Sequence, residues 1–164
     1  MREELKKNQP VAYKILENAL TSHNFAHAYL FFGEKGTGKL DSAILLAQSL
    51  LCENEGFACE TCNTCIRVKE NNFSDFILVD GQTKSIKKDE ILKIQEKFTK
   101  TALEATAKKI YILNLIENAT IDALNSLLKF LEEPTSDVIA ILITEQVDKI
   151  LPTINEGDTL NIKD

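Results

Sequence analysis

Four short runs of consecutive apolar residues punctuate the chain: Ala28–Phe32, Phe76–Val79, Ile110–Leu113 and Ile139–Ile143. None shows the polar alternation of a half-exposed strand, so each predicts a strand buried on both faces. Between the runs, apolar positions recur at helical spacing. Residues 10–23 place Val11, Ile15, Leu16 and Ala19 on one face of an amphipathic helix. Residues 41–51 have helical character, and further helices are predicted near 89–100 and 121–133. In the last of these Thr120 can cap the start, Ile121, Leu124, Leu127, Leu128 and Leu131 form the apolar stripe, and Pro134 forces the end. Strands that alternate with helices predict an α/β fold, a parallel sheet between layers of helices. We expect one compact domain over residues 1–154 and a polar tail over 155–164, with neither repeats nor low-complexity linkers.

Composition narrows the class. With 164 residues, 44% apolar and 27% charged, the chain can bury one core and is not disordered. Its formal charge of −6 argues against a dominant basic face that grips nucleic acid, so any DNA contact is weak or indirect. Lys84, Lys87, Lys88 and Lys93 are interleaved with acids and read as a solvated face. No apolar run reaches the roughly 18 residues of a membrane span, and Met1–Lys7 leads into no signal-peptide core. A cytoplasmic location is therefore expected, where thiols stay reduced.

Two motifs carry chemistry. Gly33, Gly36, Gly38 and Lys39 fit the phosphate-loop pattern G-x-x-x-x-G-K-[ST] except at its final position, which is Leu40. The loop lies between a predicted strand and a predicted helix, where its N–H groups and the helix N-terminus can hold phosphate and Lys39 can reach the outer phosphates. Leu40 lacks the hydroxyl that ligates magnesium. A second defect lies after the run Ile110–Leu113, where Asn114 stands instead of an acid and Glu117 comes three residues later. The two defects together make hydrolysis improbable, and the loop is either a residual, weak nucleotide site or a turn retained for chain geometry. The second motif is Cys52, Cys59, Cys62 and Cys65, with six, two and two residues between successive thiols. Four thiolates at this spacing satisfy a tetrahedral structural zinc ion and leave no open position for catalysis, the alternative being four reduced cysteines without metal. The module spans about residues 52–66 and is expected to lie outside the core. His23 and His27 read as a surface group and a packed side chain, and Asp80 as a strand-end carboxylate without partners.

Several blocks, taken in order, resemble the bacterial DNA polymerase III clamp-loader family: His27–Gly33, the lysine-bearing loop, the four cysteines, Asn125–Pro134 and Ile150–Ile154. The resemblance covers nearly the whole chain. It implies an AAA+/RecA-like P-loop domain with an inserted zinc module, and membership of a hetero-oligomeric ring with delta and gamma/tau subunits that loads the sliding clamp onto primed DNA. Thr144 matches the family's first sensor position. Leu40 and Asn114 favour the delta-prime branch, whose nucleotide motifs are commonly worn; Gly33, Gly36, Gly38, Lys39 and Thr144 would then form a degenerate site in which ATP binds weakly or not at all. The arginine that this branch offers to a neighbour's ATP follows a Leu-Pro-Thr-Ile segment, but here Asn155–Asp158 follows it, and Arg2 and Arg67 are the only arginines. The family's helical lid and collar have no counterpart in these 164 residues. The expected function is a non-catalytic clamp-loader subunit. An active gamma/tau-like ATPase and a diverged zinc-containing interaction protein stay open as alternatives.

Overall fold

The computed structural model describes residues 2–23, 25–99, 108–132, 138–150 and 159–161. Among these, five strands form one wholly parallel sheet: β1 (Ala28–Phe32), β2 (Phe76–Asp80), β3 (Lys109–Asn114), β4 (Val138–Thr144) and β5 (Thr159–Asn161), in the spatial order β2-β3-β4-β1-β5. Seven helices accompany them: α1 (Arg2–Asn8), α2 (Pro10–Ser22), α3 (Lys39–Leu51), α4 (Asn63–Lys69), α5 (Lys88–Thr99), α6 (Ile121–Glu132) and α7 (Val147–Ile150). The four apolar runs are all strands, each within a residue of its expected ends. A fifth strand lies inside the stretch 155–164 that the sequence reading treats as a polar tail. It pairs with β1 through main-chain groups, which hydrophobic patterning does not register.

Alternate residues of each strand face opposite sides, so the sheet divides the core in two. Phe31, Ile110, Ile112, Ile139, Ile141 and Ile143 meet α1 to α4 on one side, and Leu30, Tyr111, Leu113, Ala140 and Leu142 meet α5 and α6 on the other. Tyr111 stacks on Phe130 at 5.5 Å between centroids, and its burial raises its phenol pKa above the ordinary value. α3 is the most enclosed helix, with ten residues from Lys39 to Leu51 buried.

Two helical faces differ from the expected ones. In α2 the buried residues are Ala12, Tyr13, Leu16 and Leu20, whereas Val11 and Ile15 are 73% and 47% exposed. The reason is α1, which the sequence reading does not contain. It packs beside α2 through a turn in which Gln9 N–H donates to the Leu5 carbonyl. In α6 the buried line is Ala123, Leu127 and Phe130, flanked by the partly buried Leu124, Leu128 and Leu131. Ile121 lies about 200° around the helix from Ala123 and is 80% exposed. The cap is as expected, Ala123 N–H donating to the Thr120 hydroxyl at 3.1 Å, while Pro134 falls outside the described residues. His27 is exposed rather than packed, and its carbonyl accepts from Ala140 N–H.

The cysteine module is also closer to the core than expected. Phe57, Ala58, Cys65 and Val68 belong to the core on the α1 to α4 side. The Phe57 ring stacks on Tyr13 at 4.8 Å, Gln48 Nε2 donates to the Cys65 carbonyl at 2.9 Å, and Ala58 N–H donates to Ser49 Oγ at 2.9 Å. An insertion in sequence is therefore a structural part of the domain.

The face of α2 can be tested by urea unfolding. Leu16→Ala, at a fully buried position, is expected to cost about 2–5 kcal/mol, and Val11→Ala to stay within about 0.5 kcal/mol. Equal losses would restore the face predicted from periodicity.

Candidate functional site

The glycine loop joins the end of β1 to the start of α3, the most enclosed helix. Gly36 and Gly38 have φ of +86° and +81°, and a Cβ at either would meet no neighbour within 4 Å. Their requirement for glycine is thus conformational, not steric. Gly38 is the N-cap of α3, and Gly33 leads from β1 into the loop. Lys39 turns its side chain back over this loop and is only 5% exposed. Its ammonium donates to the Glu34 carbonyl at 2.6 Å and to Thr37 Oγ1 at 3.3 Å, and faces the Glu145 carboxylate at 3.8 Å.

These residues form one wall of an open cleft of about 350 Å³, with Lys35, Gly36, Gly38, Lys39, Leu40 and Asp41 on the loop side. Gln82, Asn114, Leu115 and Glu145 complete it from the ends of β2, β3 and β4. That is the C-terminal edge of the parallel strands, where ligands of open α/β sheets bind. Leu40 occupies the position of the missing hydroxyl and is partly buried against the core.

Asp80 is not solitary, as the sequence reading has it. Its Oδ1 accepts from Asn114 Nδ2 at 2.9 Å and from Gln82 N–H at 2.9 Å. Asn114, itself buried, therefore uses an amide N–H group to bind a carboxylate. A carboxylate at residue 114 would instead repel Asp80. Gly81 makes this approach possible: its N–H donates to the Asn114 carbonyl, and a Cβ there would lie 2.8 and 2.9 Å from the carbonyl oxygens of Asn114 and Leu115. Leu115 adopts φ +59°, a conformation that side chains of its size rarely take.

Thr144 and Glu117 meet at the next strand end. The Thr144 hydroxyl, fully buried, donates to Glu117 Oε1 at 2.6 Å, and Glu117 Oε2 accepts from Glu145 N–H at 3.0 Å. Gln146 N–H donates to Thr144 Oγ1 at 3.0 Å. Glu117 is thus a clamp on the turn after β4. Sequence reading places it only as a displaced acid and misses Gly81, Gln82 and Glu145 entirely. The Asp80-Gly81 pair directly after a buried strand was the available signal for the first two.

The four cysteines converge at the other end of α3. Cys52 ends the helix, Cys62 caps α4 by accepting from Cys65 N–H, and all four Sγ atoms lie within 4.8 Å of one another. The separations of 3.7 Å (Cys52 to Cys59), 3.9 Å (Cys52 to Cys62) and 4.0 Å (Cys59 to Cys65) can be compared with tetrahedral coordination. Bonds of about 2.3 Å to one central ion place ligand sulfurs about 3.8 Å apart, so the thiols fit a single metal ion. Backbone N–H groups of Thr61 and Cys62 lower the Cys59 thiol to about 6, whereas burial and then the hydrogen bond with Cys62 push Cys65 above the ordinary thiol range.

Both arginines are engaged locally. Arg2 lies over Phe57 with Nε and Nη2 donating to Tyr13 Oη at 3.3 Å, and Arg67 lies over Phe73 with Nε donating to the Asn72 carbonyl. Residues 155–158, where the resemblance would place a finger, lie outside the described residues. No helix among the described residues is long and apolar enough to cross a membrane.

A parallel sheet flanked by helices, a glycine loop entering α3 and a four-cysteine insert together define an AAA+-type P-loop domain. The family model described as DNA polymerase III, delta subunit, matches residues 8–156. The chain belongs to the delta-prime clamp-loader family of DNA polymerase III. It is 48% identical over 152 residues to DNA polymerase III subunit delta-prime of Bacillus subtilis, covering 92% of this chain and 46% of that protein. It is also 39% identical over 143 residues to subunit tau of the same organism, covering 86% of this chain and 25% of that one. The chain thus spans less than half the length of either relative. Among solved structures, a gamma subunit-related protein of Thermotoga maritima superposes with a TM-score of 0.64 at 21% identity, covering 92% of this chain and 45% of that one, a likeness of fold.

The thiol environments predict an order of alkylation. In protein stripped of metal, iodoacetamide at pH 7 should modify Cys59 first and Cys65 last, with the Cys59 rate half-maximal near pH 6. Peptide mass mapping at timed quenches reads this order. Uniform modification would mean that the loop does not hold its shape without metal.

Proposed function

We propose that this chain is the P-loop domain of a delta-prime-type subunit that does not hydrolyse ATP and serves as a structural member of the clamp-loader ring. The observation that carries this reading is the Asn114 side chain. It stands where a working site needs a magnesium-binding acid, and its amide is committed to Asp80. Leu40, on the opposite wall, supplies no hydroxyl. The glycines Gly33, Gly36 and Gly38 with Lys39 still form a loop that can hold phosphate, so weak nucleotide binding without turnover is the activity assigned to it. In this reading Thr144 keeps the first sensor position, but its hydroxyl donates a hydrogen bond to Glu117.

The same reading makes delta and gamma/tau subunits the partners, with DNA contacted indirectly and the protein working in the cytoplasm. Its net charge of −6 is consistent with a subunit that does not grip DNA itself. Engagement of Arg2 and Arg67 in local packing fits a chain that offers no arginine to a neighbouring ATP.

Zinc is the ion we assign to Cys52, Cys59, Cys62 and Cys65, because a closed four-thiolate set suits a structural zinc ion that neutralises the crowded thiolates and fixes the loop. One equivalent per chain is expected by elemental analysis, and well under half an equivalent after zinc-replete expression would refute the assignment. Because Phe57 and Cys65 are part of the core, removal by chelator should lower the thermal midpoint of the whole domain by several degrees, as expected of a ligand bound only by the folded state. A metal-free protein with an unchanged midpoint would return the module to the periphery.

The central test is ATP turnover with magnesium, by this chain alone and assembled with delta and gamma/tau subunits. Background phosphate release from the chain alone, together with stable co-elution in the assembly, is expected. Release that disappears in Lys39→Ala would show a working site and support the gamma/tau-like alternative.

A further inference from the structure

A buried ammonium must face an anion or strong acceptors, since its desolvation is otherwise costly. Lys39 is 5% exposed, and its ammonium has three N–H donors. Two are directed to Glu34 O and Thr37 Oγ1, both within the loop, and the Glu145 carboxylate lies 3.8 Å from the ammonium. Glu145 is not a freely swinging surface acid at its backbone. Its N–H is held by Glu117 Oε2, the preceding Thr144 is fully buried and donates to the other oxygen of the same carboxylate, and the following Gln146 N–H closes on Thr144 Oγ1. Three hydrogen bonds therefore fix the turn that presents the Glu145 side chain to the cleft.

We infer that Glu145 is a built-in competitor for phosphate: its carboxylate faces Lys39 across the cleft as the counter-ion that the phosphates of a bound nucleotide would otherwise supply. Binding a polyphosphate then requires the pair Lys39–Glu145 to separate, and the displaced carboxylate adds repulsion between like charges. Leu40 and Asn114 bear on magnesium, whereas Glu145 bears on the phosphates themselves. The inference rests on the proposed weak nucleotide site and explains the weakness by a residue outside the phosphate-loop pattern. Side-chain exposure of 31% leaves Glu145 room to move aside, so the site is restrained by it and not sealed.

The test measures affinity rather than turnover. Inorganic tripolyphosphate and magnesium ATP are titrated calorimetrically into the zinc-loaded chain, its Glu145→Gln variant, its Lys39→Ala variant and the double variant. Removing the competing charge should tighten binding of both probes by about tenfold or more, tripolyphosphate included because the effect needs no base or sugar. In the Lys39→Ala background the same change should gain less than about threefold, since the charge it uncovers is absent. Glu145→Gln affinity within twofold of the parent, undetectable tripolyphosphate binding by the variant, or a full gain without Lys39 would each overturn the inference. Hydrolysis by the parent chain would overturn the proposed function and leave this comparison of affinities intact.

Discussion

The burial of α3 is the constraint on which this domain depends. Ten of its residues are shielded, and at 1.5 Å per residue its 13 residues form a rod of about 20 Å enclosed by the sheet on one side and by α1, α2 and α4 on the other. A helix so enclosed cannot shift along its axis without breaking close-packed contacts. Whatever stands at its ends is therefore held in place. The glycine loop and Lys39 stand at one end and Cys52 with the other thiols at the other, so the two chemically distinctive regions share one support.

Most of that architecture could be read from hydrophobic patterning, because strands buried on both faces leave short unbroken apolar runs and the loop falls between one of them and a helix. The failures have physical causes. Val11 and Ile15 belong to a plausible helical stripe, but α1 docks beside α2 and makes Ala12 and Tyr13 the inner residues. Ile121 is more apolar than Ala123, yet it is the alanine that is buried in the core, because it lies on the same face of the helix as Leu127 and Phe130. Phe57, between two cysteine ligands in sequence, looks like part of a polar loop and is instead stacked in the core.

The site was legible in its motif and not in its wiring. Spacing identifies Gly36, Gly38, Lys39 and the four cysteines, since each motif is contiguous. The relations that decide the behaviour of the cleft run between distant strand ends: Asn114 with Asp80, Glu117 with Thr144 and Glu145, and Glu145 with Lys39. A linear reading saw Asn114 as a loss and Glu117 as an acid out of place. In three dimensions each makes a definite hydrogen bond.

The strand order also fixes the sequence in which the domain can assemble. β1 lies between β4 and β5, and its first registered pair, Ala28 with Ala140, joins residues 112 positions apart (140 − 28). On a growing chain the apolar run Ala28–Phe32 has no partner strand until Val138–Thr144 has been made. Closing so long a loop is entropically costly and slows folding. The contacts between α3 and α4 around the cysteines are local by comparison, so they can form while the sheet is still incomplete. The metal-ready knot thus gives the nascent chain an early fixed point, and β1 remains the segment in most need of protection from aggregation until β4 has been made.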